Sequence, residues 1–293
     1  MRTADEMLRL ITEVARGDER IKAAVLSGSR TDPDAREDIF QDFDVVYYVD
    51  DVAPFYNNME WIAENFGCPA VCQLPELGEL PGLEPDGDGH FTYLMIFDDR
   101  NRIDLSIDNK PYIDDGEPVR VLIDKCGYIP KLTPNLNYWH VKRPTQKHFS
   151  DCCNEFWWCL NNVGKGIARD ERPYAMKMFN CYVRNMLDVM VGWYIGVLTD
   201  FSVSPGKLGK YFPRYLPRDT YNEYLSTYSD ADRGHFLAAV DTACGLFSRL
   251  AHEVAHALAF EYNEREERNM RDYLRWVTGE ALAGNANRSV SNS

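Results

Sequence analysis

The sequence predicts an α+β protein in which a sheet domain with flanking helices is followed by a helical bundle. Three observations carry that expectation. Short runs rich in Val, Ile, Tyr and Phe are confined to about the first 125 residues. From Thr145 onward the apolar residues recur at helical spacing instead. Between the two textures, 127–137 is a connection rich in Pro and Asn.

Taken in order, residues 3–17 place Met7, Leu10, Ile11 and Val14 on one helical face, with Gly17 as a stop. A short strand over 21–26 runs into Ser27-Gly28-Ser29, and 43–49 is a second strand. Residues 54–66 read as a helix with Pro54 in its first turn. The stretch 74–89 carries Pro75, Pro81, Pro85 and several glycines, so it is a loop. Residues 91–97 and 101–107 form a hairpin around Asp98-Asp99-Arg100, and 120–124 is a further strand. Helices follow over 146–166, 170–197, 217–227, 231–257 and 262–278, and the small, polar tail from Gly284 is expected to fray.

With 293 residues, 45% of them hydrophobic, the chain can bury a core without staples. No apolar run approaches the ~20 residues of a membrane helix. The first 19 residues mix charges throughout and do not read as a secretory signal. A cytoplasmic protein with no membrane partner is expected. Eight cysteines without a Cys-x-x-Cys pair fit a reducing compartment and read as structural thiols.

The net charge of −14 is unevenly spread. Residues 1–125 hold 28 acids and 12 bases, whereas 126–293 hold 18 acids and 20 bases. Phosphate contacts need Lys and Arg, so nucleic acid is a poor candidate partner. A cation is a better one, although solubility alone would also account for the charge.

The sharpest chemical signal is Leu26-Ser27-Gly28-Ser29-Arg30 followed by Asp42-Phe43-Asp44 on the next strand. Residues two apart on a strand share a face, so Asp42 and Asp44 project together. Carboxylates so close repel unless a cation lies between them, and Mg²⁺ is the natural occupant. Asp104, a lone acid between Ile103 and Leu105, supplies a third carboxylate. A Gly-Ser turn after a strand lets backbone N–H groups approach a phosphate. Together these make a metal-assisted phosphoryl or nucleotidyl transfer site. The bland alternative is a plain turn with solvent-facing acids.

This combination resembles the nucleotidyltransferase superfamily of DNA polymerase β type, and more closely the aminoglycoside 6-adenylyltransferases, or streptomycin adenylyltransferases. The resemblance continues through Glu155-Phe156-Trp157-Trp158, Lys165-Gly166, Arg169-Asp170-Glu171, Met190-Val191-Gly192-Trp193-Tyr194-Ile195-Gly196, and the stretch from Asp200 to Lys210. It implies a mixed-sheet nucleotidyltransferase domain over 1–135 and a helical substrate-binding domain over 136–293. It also implies transfer of AMP from Mg-ATP to a hydroxyl of streptomycin, expected to be the 6-hydroxyl, with release of pyrophosphate and antibiotic resistance as the outcome. On that resemblance Asp42 and Asp44 hold metal, two Mg²⁺ being expected. Asp104 is a third ligand, the general base, or both. Gly28, Ser29 and Arg30, with Lys207 and Lys210, would contact ATP. Glu155, Trp157 and Asp188 would meet the guanidinium groups of a cationic aminoglycoside. A monomer is expected, a homodimer being compatible. A different small-molecule acceptor on the same fold is the main alternative, and a binding protein that has lost activity is disfavoured because all three carboxylates are present.

A rival motif is His252-Glu253-Val254-Ala255-His256, which puts two histidines on one helical face as a zinc peptidase requires. A third ligand is poorly supplied, Glu280 being the only later carboxylate at a plausible distance. An amphipathic helix with Leu250, Val254, Ala257 and Leu258 inward accounts for the same residues.

Overall fold

A computed structural model describes residues 1–79, 89–110, 112, 116–133, 135 and 137–290, with side chains as far as 279. The chain divides into two compact units, Met1–Tyr138 and a second from Trp139 onward.

The first unit opens with α1 (Ala4–Gly17), started by a reciprocal capping box between Thr3 and Glu6. It buries Met7, Ile11, Val14 and Ala15. Then come β1 (Ile21–Ser27), a 3₁₀ turn at Gly28–Arg30, β2 (Phe43–Val49), a second 3₁₀ turn at Ala53–Phe55 and α2 (Met59–Phe66). Strands β3 (Val71–Gln73), β4 (His90–Ile96), β5 (Arg102–Asp108) and β6 (Arg120–Asp124) complete a sheet of order β3-β4-β5-β2-β1-β6. Its pairings are antiparallel except for the parallel pair β2–β5, so the sheet is mixed.

The helix expected over 54–66 is divided. Pro54 sits in the 3₁₀ turn, Asn57 takes φ 51°, and Asn58 caps a new helix at the Trp61 amide. Strand β3 was not anticipated, because three residues are too few to show alternation. Residues 80–88 of the expected loop, with Pro81 and Pro85, lie outside the described residues.

Alternation along the strands sorts the two faces. Phe43, Val45 and Tyr47 join Phe91, Tyr93, Ile103, Leu105 and Ile107 in one core with the apolar faces of α1 and α2. The Tyr47 hydroxyl donates to the Ile11 carbonyl at 2.5 Å, fixing β2 to α1. On the opposite face Ala23, Val25 and Tyr48 pack with Tyr112, Tyr128 and Ile129. The remainder of that face carries the carboxylates.

The second unit contains α3 (Gln146–Ala168), α4 (Arg172–Met178), a π turn at Phe179–Val183, α5 (Arg184–Leu198), α6 (Phe212–Tyr215), α7 (Arg218–Leu225), α8 (Arg233–Leu258) and α9 (Glu264–Val290). The helix expected over 170–197 runs unbroken from Arg172 to Leu198, with a π turn inside it at Phe179–Val183. Helix α9 runs past Gly284, where fraying was expected; Ala281, Ala283 and Ala286 supply strong helix propensity there. The core gathers Phe156, Trp157, Phe179, Leu187, Val191, Phe247 and Leu250. Phe156 and Phe247 stack at 3.7 Å between centroids. Gly164 lets α3 and α9 approach, since a Cβ there would lie 2.8 Å from Val277. Among the described residues no helix is long and apolar enough to cross a membrane.

Candidate active site

Strand β1 ends at Ser27, and the chain turns sharply at Gly28, which takes φ +68°. A Cβ on Gly28 would stand 2.2 Å from Asp44 Oδ2. Only glycine therefore satisfies both the backbone angle and the space. The register then lines up a row across the sheet. Ser27 pairs with Asp44 on β2, and Asp44 pairs with Asp104 on β5. Asp42 precedes β2 by one residue and shares the face of Asp44. The three acids expected from sequence are thus brought together.

A fourth residue stands among them. Arg102, two before Asp104 on the same strand, forks onto Asp104 with Nε and Nη2 at 2.8 and 2.6 Å. Its Nη1 lies 3.3 Å from Asp42 Oδ2. The hydrogen bonds to Asp104, followed by the charges of Asp104, Asp42 and Asp44, raise the Arg102 pKa. Burial raises the Asp42 pKa, as does the charge of Asp104, while Arg102 and Arg30 pull it down. Among the described residues no group of three or more His, Cys, Asp or Glu is gathered tightly enough to hold a metal as it stands. At this cluster a guanidinium already takes up the carboxylate oxygens. The chemistry of the cluster nonetheless suits a divalent ion. The donors are hard oxygens, and they already attract and hold a cation.

Arg102 carries no role in the sequence analysis above. The signal was available, because residues two apart on a strand share a face. Arg30 is placed differently from a phosphate contact. It donates from Nε to the Asp42 carbonyl at 2.9 Å and from Nη2 to the Gln41 carbonyl at 2.8 Å, with its guanidinium 3.7 Å from the Phe43 ring centroid. It ties the Gly28 turn to the start of β2. The Ser29 carbonyl accepts from Gln41 Nε2 at 3.0 Å, and Ser29 lines a cavity of about 330 Å³ with Asp5, Asp32, Glu37 and Asp38.

In the second unit, Lys207 and Lys210 are exposed on a compact turn. Gly206 and Gly209 take φ +72° and +77°, and a Cβ on either would collide with Tyr211 or Phe212. Glu155 is exposed on α3 and accepts from the Cys159 thiol at 3.2 Å. Trp157, expected to meet substrate, is instead fully buried: its indole N–H donates to the Tyr262 hydroxyl at 2.9 Å, and Phe156 and Phe247 pack edge-on to it. The neighbouring Trp158 is the exposed one, at 64%. Asp188 accepts from the Tyr224 hydroxyl at 2.8 Å, and burial raises its pKa.

The His-Glu-x-x-His segment lies on α8, with Val254 and Ala255 buried and both histidines exposed. Glu253 faces Arg249 at 3.3 Å, and the His252 ring stands edge-on to Tyr262. The side chain of Glu280 is outside the described residues.

A mixed sheet with a Gly-Ser turn, two acids at the start of the neighbouring strand and a third acid in register beside them defines a nucleotidyltransferase. The profile of the streptomycin adenylyltransferase family matches residues 1–277. An aminoglycoside 6-adenylyltransferase of Bacillus subtilis (strain 168) is 37% identical over 91% of this chain and 95% of its own length. One from Campylobacter jejuni is 34% identical over 92% of this chain and 93% of its own. The crystal structure of an aminoglycoside 6-adenyltransferase from Bacillus subtilis covers 94% of this chain and 99% of its own at 31% identity, with a TM-score of 0.47. The chain belongs to the streptomycin adenylyltransferase family.

Proposed function

We propose that this protein transfers AMP from Mg-ATP to a hydroxyl of streptomycin, the 6-hydroxyl, and so confers resistance to that drug. The observation that supports this most is the row Ser27–Asp44–Asp104, with Asp42 beside it, at a glycine turn that only glycine can make. Family membership and the names of the relatives add the aminoglycoside acceptor.

In this reading Asp42, Asp44 and Asp104 would hold Mg²⁺, which when bound offsets charge developing on the phosphates. Asp104 takes the proton of the acceptor hydroxyl. That oxygen forms a bond to the α-phosphorus of ATP. The bond from the α-phosphorus to the bridging oxygen breaks, and pyrophosphate leaves with the electron pair. The backbone N–H groups of Gly28 and Ser29 orient the phosphates. Glu155 and Asp188 receive guanidinium groups of the drug through charge-assisted hydrogen bonds.

The test is pyrophosphate release from Mg-ATP with streptomycin, with a panel of other aminoglycosides and without acceptor. Streptomycin-dependent release is expected. Release that depends only on another aminoglycoside would replace the acceptor. No acceptor-dependent release at all would overturn the reading.

A further inference from the structure

We propose that Arg102 is a positioning residue that occupies the metal position of the carboxylate cluster and is exchanged for the divalent ion when the site loads. The proposal rests on the metal reading of Asp42, Asp44 and Asp104 given above.

Three observations carry it. First, both oxygens of Asp104 are engaged by one guanidinium, Oδ1 at 2.8 Å and Oδ2 at 2.6 Å. A metal on Asp104, or a hydroxyl proton moving to it, would have to share an oxygen that Arg102 already uses. Second, the same guanidinium reaches Asp42 Oδ2 at 3.3 Å, so it spans two of the three acids. Asp44 completes the ring from the neighbouring strand, held in register against Asp104 and packed on Gly28. Third, the Arg102 side chain is 42% exposed, against 19% for Asp104. The cation can withdraw along its flexible stem while the acids stay fixed by the sheet.

Like charges gathered on one sheet face cost energy unless a cation offsets them. Arg102 supplies that cation from within the chain, which lets the acids sit close before any metal arrives. The consequence is competition. The metal must displace an ion pair, so its affinity in the absence of nucleotide is lower than the bare carboxylates would give. Arginine suits the role because its planar fork matches a carboxylate in two places.

The experiment measures Mn²⁺ binding to the full chain without nucleotide, from the electron paramagnetic resonance signal of free Mn²⁺. Wild type, Arg102→Gln, Arg102→Lys and Asp44→Asn are compared. Arg102→Gln is expected to bind Mn²⁺ about two- to fivefold more tightly than wild type, the upper range set by exposed ion pairs of this kind. Arg102→Lys, which keeps the charge and loses the fork, is expected to fall between them. In chelator, Arg102→Gln should melt below wild type, and Mn²⁺ should raise its melting temperature by more than it raises that of wild type. A merely structural ion pair would lower the melting temperature without tightening the metal. Mn²⁺ affinity of both Arg102 variants equal to or weaker than wild type, with Asp44→Asn binding lost, would overturn the exchange and leave the metal site standing. Unchanged binding in Asp44→Asn would overturn the metal reading itself, and the exchange with it.

Discussion

At the scale of the residue, Gly28 and Asp44 show how closely the candidate site is built: the missing Cβ of one is the space filled by the carboxylate of the other. A second acid of the cluster, Asp42, sits where burial penalises its charge. Its pKa is raised, with burial the largest cause, despite the neighbouring Arg102 and Arg30. A carboxylate with a folded-state pKa above its unfolded value favours the folded state fully at low pH. That contribution is lost as pH rises through the folded-state pKa. Asp42 therefore subtracts from stability at neutral pH. Asp42→Asn, which cannot ionise, should melt above wild type at pH 7. The difference should shrink as pH falls through the carboxylate range, and turnover should be lost throughout. Thermal melts across a pH series, paired with pyrophosphate assays, check both halves. A melting temperature below wild type at pH 7 would mean that the ion pair with Arg102 outweighs burial.

At the scale of the element, Arg184, the first residue of α5 directly after the π turn, anchors its helix. Arg184 is 5% exposed, yet its charge is satisfied. Nη1 donates to Thr227 Oγ1 at 2.9 Å and Nη2 to the Thr227 carbonyl at 2.6 Å, and the guanidinium lies 3.7 Å from the Tyr228 ring centroid. The start of α5 is thereby fastened to the chain just after α7. Thr227→Val keeps the shape and removes one acceptor, leaving a buried donor of a charged group unpaired. A loss of about 1–3 kcal/mol is expected. Denaturant melts should show a lower midpoint at unchanged slope. This anchor was not legible in the sequence, because nothing local links residue 184 to residue 227. Strands β1, β2, β4, β5 and β6 were legible, and a period of two puts Asp42 and Asp44 on one side. What periodicity could not supply was the order of the strands. Asp44 and Asp104 become neighbours only because β2 and β5 pair in parallel with those residues in register. Trp157 marks the other limit. It and Trp158 are adjacent in an aromatic run, and only the packing of α3 decides that the first is buried and the second exposed.

At the scale of the whole molecule, the charge is the property that reaches furthest from the surface. The chain carries −14 in all, and its first 125 residues hold 28 acids against 12 bases. Some of that acidity is internally spent: Arg102 lies on Asp42 and Asp104, and Arg2 holds Asp99. Elsewhere four acids, Asp5, Asp32, Glu37 and Asp38, line one cavity together with Arg30 and Arg120. A field of one sign raises the local concentration of an oppositely charged ligand and speeds its arrival. It should therefore act in opposite senses on the two substrates of the proposed reaction, drawing in a polycationic drug and repelling ATP. Added salt shortens the reach of that field to about 10 Å at 0.1 M, weakening both effects. The KM for streptomycin should rise severalfold between about 10 and 150 mM added KCl at fixed Mg²⁺. The KM for Mg-ATP should change less, or fall, because its binding depends on short contacts and is opposed by the net charge. Steady-state pyrophosphate release at a series of KCl concentrations, varying one substrate at a time, separates the two. A KM for streptomycin that does not move with salt would show that close contacts alone recognise the drug and that the acidic charge serves solubility.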